Sequence, residues 1–281
     1  MRRRTTIERS IAIAGVGLHS GNSTSVVLAP SSDGILLRRR GSRAQPLGTI
    51  GVLATERCTR IQFENGGTVD TVEHLMAALA MSGVTDIDVT FDGDEAPILD
   101  GSASEWLKAI ESAAPVSVHG AVEPLVVTRS FEFSHNGSRY SAMPGDLSFD
   151  VSIDFPGTPI GLQSIRVDGD HISDLADSRT FVLEHEIAAL RAAGLALGGG
   201  LHNAVVIGKH GPLNEGGFRH PDECVRHKAL DMVGDLFLAG GQILGAFSAH
   251  RPGHAATSAF LKAMMDEGVV RKALLHEPLA A

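Results

Sequence analysis

Residues 219–240 read RHPDECVRHKALDMVGDLFLAG and set His227, Asp231 and Asp235 four residues apart, with Lys228 beside the first. Side chains at that spacing share one side of a helix, so an imidazole nitrogen and a carboxylate oxygen can reach one ion. The plainer reading is the wet side of an amphipathic helix, because Leu230, Val233, Leu236 and Phe237 fall largely opposite. A second pair, Glu73-His74, opens the segment EHLMAALAM, whose remaining positions are almost all apolar. A glutamate next to a histidine suits metal-assisted hydrolysis: the imidazole binds the ion while the carboxylate takes a proton from activated water. Its bland alternative is a helix start with an acidic residue near the positive dipole end.

The elements around these residues repeat. TVEHLMAALAMSGVTDIDVTF is a helix, a Gly turn and a strand, followed by a loop and SEWLKAI. CVRHKALDMVGDLFLAGGQILGAFSA has the same order and is followed by SAFLKAM. Val72-Glu73-His74 matches Val225-Arg226-His227, and Ser104–Ala109 matches Ser258–Ala263. This predicts an α+β protein of two similar sandwich domains packed on each other, the product of an internal duplication. His74 and His227 then start equivalent helices on opposite sides of the interface, and the metal reading is favoured. Residues 111–124 are small, Pro-bearing and without clear period. The expected division is 1–115 for the first domain, 116–124 for a linker and 125–281 for the second.

Two histidines and one carboxylate leave a coordination position for water, the mark of a catalytic rather than a structural set. The two cysteines, Cys58 and Cys224, lack metal-ligand spacing, which excludes a closed thiolate site. A net charge of −9 argues against a nucleic-acid partner. The short basic runs Arg2–Arg4 and Arg38–Arg40 read as ends of elements. IAIAGVGL is broken by Gly15 and Gly17, follows Glu8 and reaches His19 without a cleavage site, so it reads as a strand and not a signal peptide. No apolar run approaches a membrane span, and the chain reads as cytoplasmic.

Seven segments in order carry a resemblance to a known family: GVGLHSG (15–21), TVEHLMAAL (71–79), DGSA (100–103), SRTF (178–181), LNEGGFR (213–219), VRHKALDMVGDL (225–236) and GAFSAHRPGH (245–254). The chain resembles the zinc-dependent UDP-3-O-acyl-N-acetylglucosamine deacetylases of bacterial lipid A synthesis. The resemblance implies His74, His227 and Asp231 as ligands of zinc, or of iron(II), and Glu73 as general base. It implies His254 as the second acid–base group, Asp235 as the residue that orients it, and Thr180 as a donor to the tetrahedral intermediate. Without the family, Thr180 reads as a turn residue and His254 as a solvated loop histidine.

Lys228 and Arg251 would face the diphosphate or hexosamine of a UDP-sugar carrying a fatty acyl chain. Leu18, His19 and Phe181 would lie near that substrate, Phe181 at the mouth of an acyl passage. The resemblance further implies two sandwiches with zinc between them, and a β-α-β insert in the second domain, expected within 153–177. No amphipathic anchor is evident, so stable membrane insertion is not expected, and the chain is expected to be a monomer. Cys58 reads as core. The ligand set by itself does not specify the sugar or the acyl group. A non-catalytic binding protein on the same fold would be marked by loss of a ligand or of the base, and none is lost.

Overall fold

Alternation of apolar and polar residues gives Ser23–Pro30 and Ile87–Asp92 one buried face each, with Val26, Leu28, Val89 and Phe91 in the core. The computed structural model describes residues 3–53, 55 and 57–273; Arg2 of the first basic run, and residues 274–281 of the expected second domain, lie outside the described residues. The first five-stranded sheet runs Ile11–Val16, Ser23–Pro30, Ile87–Asp92, Ile35–Arg39, Gln45–Pro46. The second runs Phe131–His135, Ser138–Met143, Ala246–His250, Ser148–Phe155, Gly161–Asp168. In both, successive pairings are antiparallel, antiparallel, parallel and antiparallel. In both, the middle strand is the last in sequence and follows the long buried helix. The repeat read from the sequence is therefore a repeat of topology, and the fold is α+β in two similar units.

Five α-helices complete the fold: α1 (Glu73–Ser82), α2 (Ser104–Ser112), α3 (Ile187–Ala192), α4 (Glu223–Phe237) and α5 (His254–Asp266). α1 packs on α2 of its own unit and on α4 of the other, while α4 packs on α5 and on the second sheet. Enclosed on all sides, α1 is buried from Glu73 to Ala80, which explains why EHLMAALAM is apolar all round. Full burial of Leu75, Met76 and Leu79 contributes about 1.5–3 kcal/mol apiece. α1 ends at Gly83 in the left-handed conformation (φ 70°), a common helix stop. Gly234 of α4 lies against the α1 backbone so closely that a Cβ there would sit 2.1 Å from the Glu73 carbonyl oxygen. That contact joins the two units where the motifs lie.

Two expectations change. Most of the segment expected as a linker is a strand, Pro115–Ala121, paired antiparallel with Arg3–Ile7. Its side chains are exposed on both faces, so backbone hydrogen bonds hold it and no alternation marks it. The next strand, Leu125–Val127, already pairs with the second unit. The β-α-β element expected within 153–177 lies instead at 181–208, where Phe181–Leu183 and Val205–Gly208 run parallel around α3. Residues 161–168 form the half-buried edge of the main sheet, whereas VVIG at 205–208 is wholly buried, as a parallel strand covered on both faces should be. Among the described residues no helix is long and apolar enough to cross a membrane.

Candidate active site

Because α1 and α4 pack together, the equivalent His74 and His227 meet across the interface with ring centroids 5.0 Å apart at an interplanar angle of 83°. Asp231, one turn along α4, lies between them: its Oδ1 is 3.2 Å from His227 Nε2 and 3.6 Å from His74 Nε2. All three residues are buried, and their donor atoms lie within 4.8 Å of one another. His227 Nδ1 donates to the Ser178 carbonyl at 3.0 Å, which leaves Nε2 to face the cluster. Burial overcomes the raising effect of Asp231 and, with smaller contributions from His74 and Lys228, lowers the His227 imidazole to about 3, so it is neutral and carries a lone pair at Nε2.

Asp231 is held well below the usual carboxylate range: burial opposes ionisation, but His227, Lys228 and His254 outweigh it. Its Oδ2 accepts from Lys228 Nζ at 2.7 Å, while Oδ1 is buried without a hydrogen bond among the described residues. An unpartnered carboxylate oxygen facing the lone pair on His227 Nε2 is costly unless a cation lies between them. The three residues fit a divalent ion of nitrogen and oxygen preference, with a coordination position to spare.

Beside this group stand Glu73 and His254, both buried. His254 Nε2 lies 3.8 Å from Glu73 Oε1 and 3.7 Å from Asp231 Oδ2. Its Nδ1 donates to Asp235 Oδ2 at 3.2 Å, which turns Nε2 toward the cluster. Burial would lower the His254 imidazole, and its place at the start of α5 adds to that. The carboxylates of Asp235, Glu73 and Asp231 outweigh burial and raise it to about 9. Burial raises the Glu73 carboxyl, against the opposing charges of His254 and His74. The arrangement is a carboxyl group and an imidazole side by side, facing a cation-binding group.

The other expected residues fall into three places. Phe181 stands edge-on to His227 at 6.3 Å and under Lys228 Nζ at 5.7 Å, and it also meets Phe155. Lys228 and Arg251 share a cavity of about 440 Å³ with Phe155, Leu183 and His185. Arg251 has a left-handed backbone (φ 56°), a conformation costly for a non-glycine residue. Leu18 and His19 lie against the turn that follows α3: their carbonyls accept from Gly198 and Leu197, and a Cβ at Gly198 would meet the Gly17 carbonyl at 2.2 Å. Thr180 is fixed by its backbone to Gly101 and Val205, and its hydroxyl has no protein partner among the described residues. Cys58 is core, its thiol pushed up to about 12 by burial and by the charges of Glu73 and Asp70.

Several supporting residues carry no motif. Thr59 touches Glu73, Asp235 and His254 at once. Tyr140 accepts from the Gly253 amide at 3.2 Å, just ahead of His254. Glu95 accepts from the amides of His19 and Ser20 and from the Thr71 hydroxyl, and so supports the left-handed Thr71 (φ 57°) that leads into Glu73. Glu223 accepts three hydrogen bonds from Arg179 and one from the Arg219 amide, which sets the 178–180 segment. Apart from the Arg219–Glu223 contact, these contacts join distant parts of the chain, so local pattern gives no sign of them.

The buried Arg179–Glu223 pair yields a prediction about acid stability. Burial would raise Glu223, but its hydrogen bonds from Arg179 and the two amides hold it below the ordinary 4.5. A depressed carboxylate contributes stability above its unfolded value and loses it as pH falls through the folded value. Glu223→Gln is expected to cost about 3 kcal/mol at neutral pH by leaving Arg179 without its counter-charge. It should also flatten the fall in Tm between about pH 5 and pH 3. Thermal melts across that range test it, and parallel curves for the two proteins would contradict it.

Residues 4–266 match the family described as UDP-3-O-acyl N-acetylglycosamine deacetylase, LpxC. The UDP-3-O-acyl-N-acetylglucosamine deacetylase of Syntrophotalea carbinolica is 35% identical over 259 residues, covering 89% of this chain and 84% of the relative. Those of Nitratidesulfovibrio vulgaris (34%, covering 99% and 92%) and Phenylobacterium zucineum (37%, covering 92% of each) are similar over almost their whole length. His74 is the second residue of α1, whereas His227 lies one turn inside α4 and not at its start. With its duplicated fold and a match along nearly all of its length, the chain belongs to the UDP-3-O-acyl N-acetylglycosamine deacetylase family.

Proposed function

We propose that this protein removes the acetyl group from UDP-3-O-(3-hydroxyacyl)-N-acetylglucosamine, giving the free amine and acetate, the committed step of lipid A synthesis in a Gram-negative bacterium. The observation that carries the reading is the carboxylate of Glu73 and the imidazole of His254, 3.8 Å apart, beside a buried group suited to one cation. His74, His227 and Asp231 would hold zinc, with iron(II) suited to the same ligands. When bound, the ion supplies Lewis-acid chemistry, polarising an amide carbonyl and acidifying water.

The chain's own residues do the rest. Glu73 accepts a proton from the attacking water. His254, held as a cation, donates a proton to the amine nitrogen as its bond to the acetyl carbon breaks. Asp235 keeps that imidazole turned with Nε2 toward the reaction. Thr180 offers its hydroxyl to the oxygen on which negative charge develops. Lys228 and Arg251 bind the diphosphate or hexosamine, and Phe181 walls the entrance to the acyl passage, with Leu18 and His19 close to the substrate. The protein works in the cytoplasm as a monomer.

Three variants separate these roles. His227→Ala and Asp231→Ala should lose bound metal and turnover together. Asp235→Ala should keep the metal and lower kcat about 10–100-fold, the usual effect of removing a residue that orients an acid–base group. Metal content and acetate release on the same preparations decide it. If all three variants lose metal alike, Asp235 belongs with the ligands and the assignment is wrong.

A further inference from the structure

Thr59 lies outside every motif, yet it is fully buried where three helices meet. Its carbonyl accepts from the Val72 amide at 3.4 Å, and its own amide donates to Glu73 Oε2 at 3.0 Å. Its hydroxyl donates to Asp235 Oδ1 and lies 3.1 Å from His254 Nδ1. One residue thus touches the start of α1, the last turn of α4 and the start of α5.

The proton count gives these contacts a direction. Asp235 as a carboxylate only accepts, so the single hydroxyl proton of Thr59 goes to its Oδ1. The ring proton on His254 Nδ1 then has two acceptors, Asp235 Oδ2 at 3.2 Å and the Thr59 oxygen. Both oblige Nδ1 to carry the proton, which leaves Nε2 facing Glu73. The branched Thr59 side chain has few rotamers, so its hydroxyl is held in place without further contacts. From these contacts we infer that Thr59 is a positioning residue for the reaction: its amide sets the Glu73 carboxylate, and its hydroxyl locks the Asp235–His254 pair in register with it. The inference rests on the roles proposed above for Glu73 and His254.

Thr59→Val keeps the shape and the backbone amide and removes only the hydroxyl, while Thr59→Ser keeps the hydroxyl. Thr59→Val is expected to lower kcat about 10–100-fold with KM within about 2-fold and metal content unchanged. Thr59→Ser should stay within a few-fold of the parent, a pattern that a packing role alone would not give. The second readout is the His254 Nδ1–H proton resonance in nitrogen-15-labelled protein, which should shift in Thr59→Val and hold in Thr59→Ser. Parent-like kcat in Thr59→Val, or equal losses in both variants, would overturn the inference. If the parent protein itself fails to deacetylate the substrate, the proposed activity is wrong and the resonance alone decides. A shift confined to Thr59→Val then supports the positioning role, and an unchanged signal overturns it.

Discussion

Glu73→Gln is expected to retain metal and to lose turnover by about 10³-fold, within the range for removing a general acid–base group. Glutamine matches glutamate in shape, so α1 and its packing are undisturbed. Its amide cannot accept the proton that the carboxylate takes. The Thr59 amide that donates to Glu73 Oε2 constrains the replacement further, since the new side-chain NH2 cannot accept that hydrogen bond. Glu73 is not one of the three residues whose donor atoms converge, so metal content should match the parent. Near-normal turnover in a metal-loaded variant would remove Glu73 from the role of base.

The second large effect is expected at Gly234→Ala. In an exposed helix this change stabilises by about 1 kcal/mol. Here the added methyl would lie 2.1 Å from the Glu73 carbonyl oxygen and 3.0 Å from the Ala77 amide nitrogen. Both are backbone atoms that no rotamer change can move, so α1 must shift as a body. A loss of about 3 kcal/mol is expected, the upper end of the usual overpacking range. In a chain of this size that corresponds to a fall in Tm of about 6–12 °C. Because Glu73 and His74 travel with α1, turnover should fall about 10²-fold even below the melting range, as displacements near 1 Å do. A variant with unchanged Tm and kcat would show that the two helices approach less closely than described.

What was legible in the sequence is what local pattern encodes. The repeat was visible because corresponding helices and strands kept their order and spacing, and the two sheets share one topology. The all-apolar run after His74 marked a helix with neighbours on every side, and α1 has them. On periodicity alone the four-residue stripe reads first as a solvated face; burial of His227, Asp231 and Asp235 at the interface with α1 decides otherwise. Pro115–Ala121 escaped because a strand exposed on both faces has no hydrophobic period to read. The position of the β-α-β element within 153–177 is an expectation from the resemblance alone; 161–168 is instead the regularly alternating edge strand of the second sheet, and the element follows at 181–208. Thr59, Glu95 and the Arg179–Glu223 pair escaped because their partners come from other elements, brought close only when the fold is complete.

In the proposed function, His74, His227 and Asp231 hold a catalytic ion for amide hydrolysis at the junction of two duplicated units. The most direct test is acetate release from UDP-3-O-(3-hydroxyacyl)-N-acetylglucosamine, with metal content measured on the same sample before and after chelation. One ion per chain, loss of turnover when it is removed, and recovery when zinc is restored are the expected results. Full turnover by protein stripped of metal would contradict the proposed function.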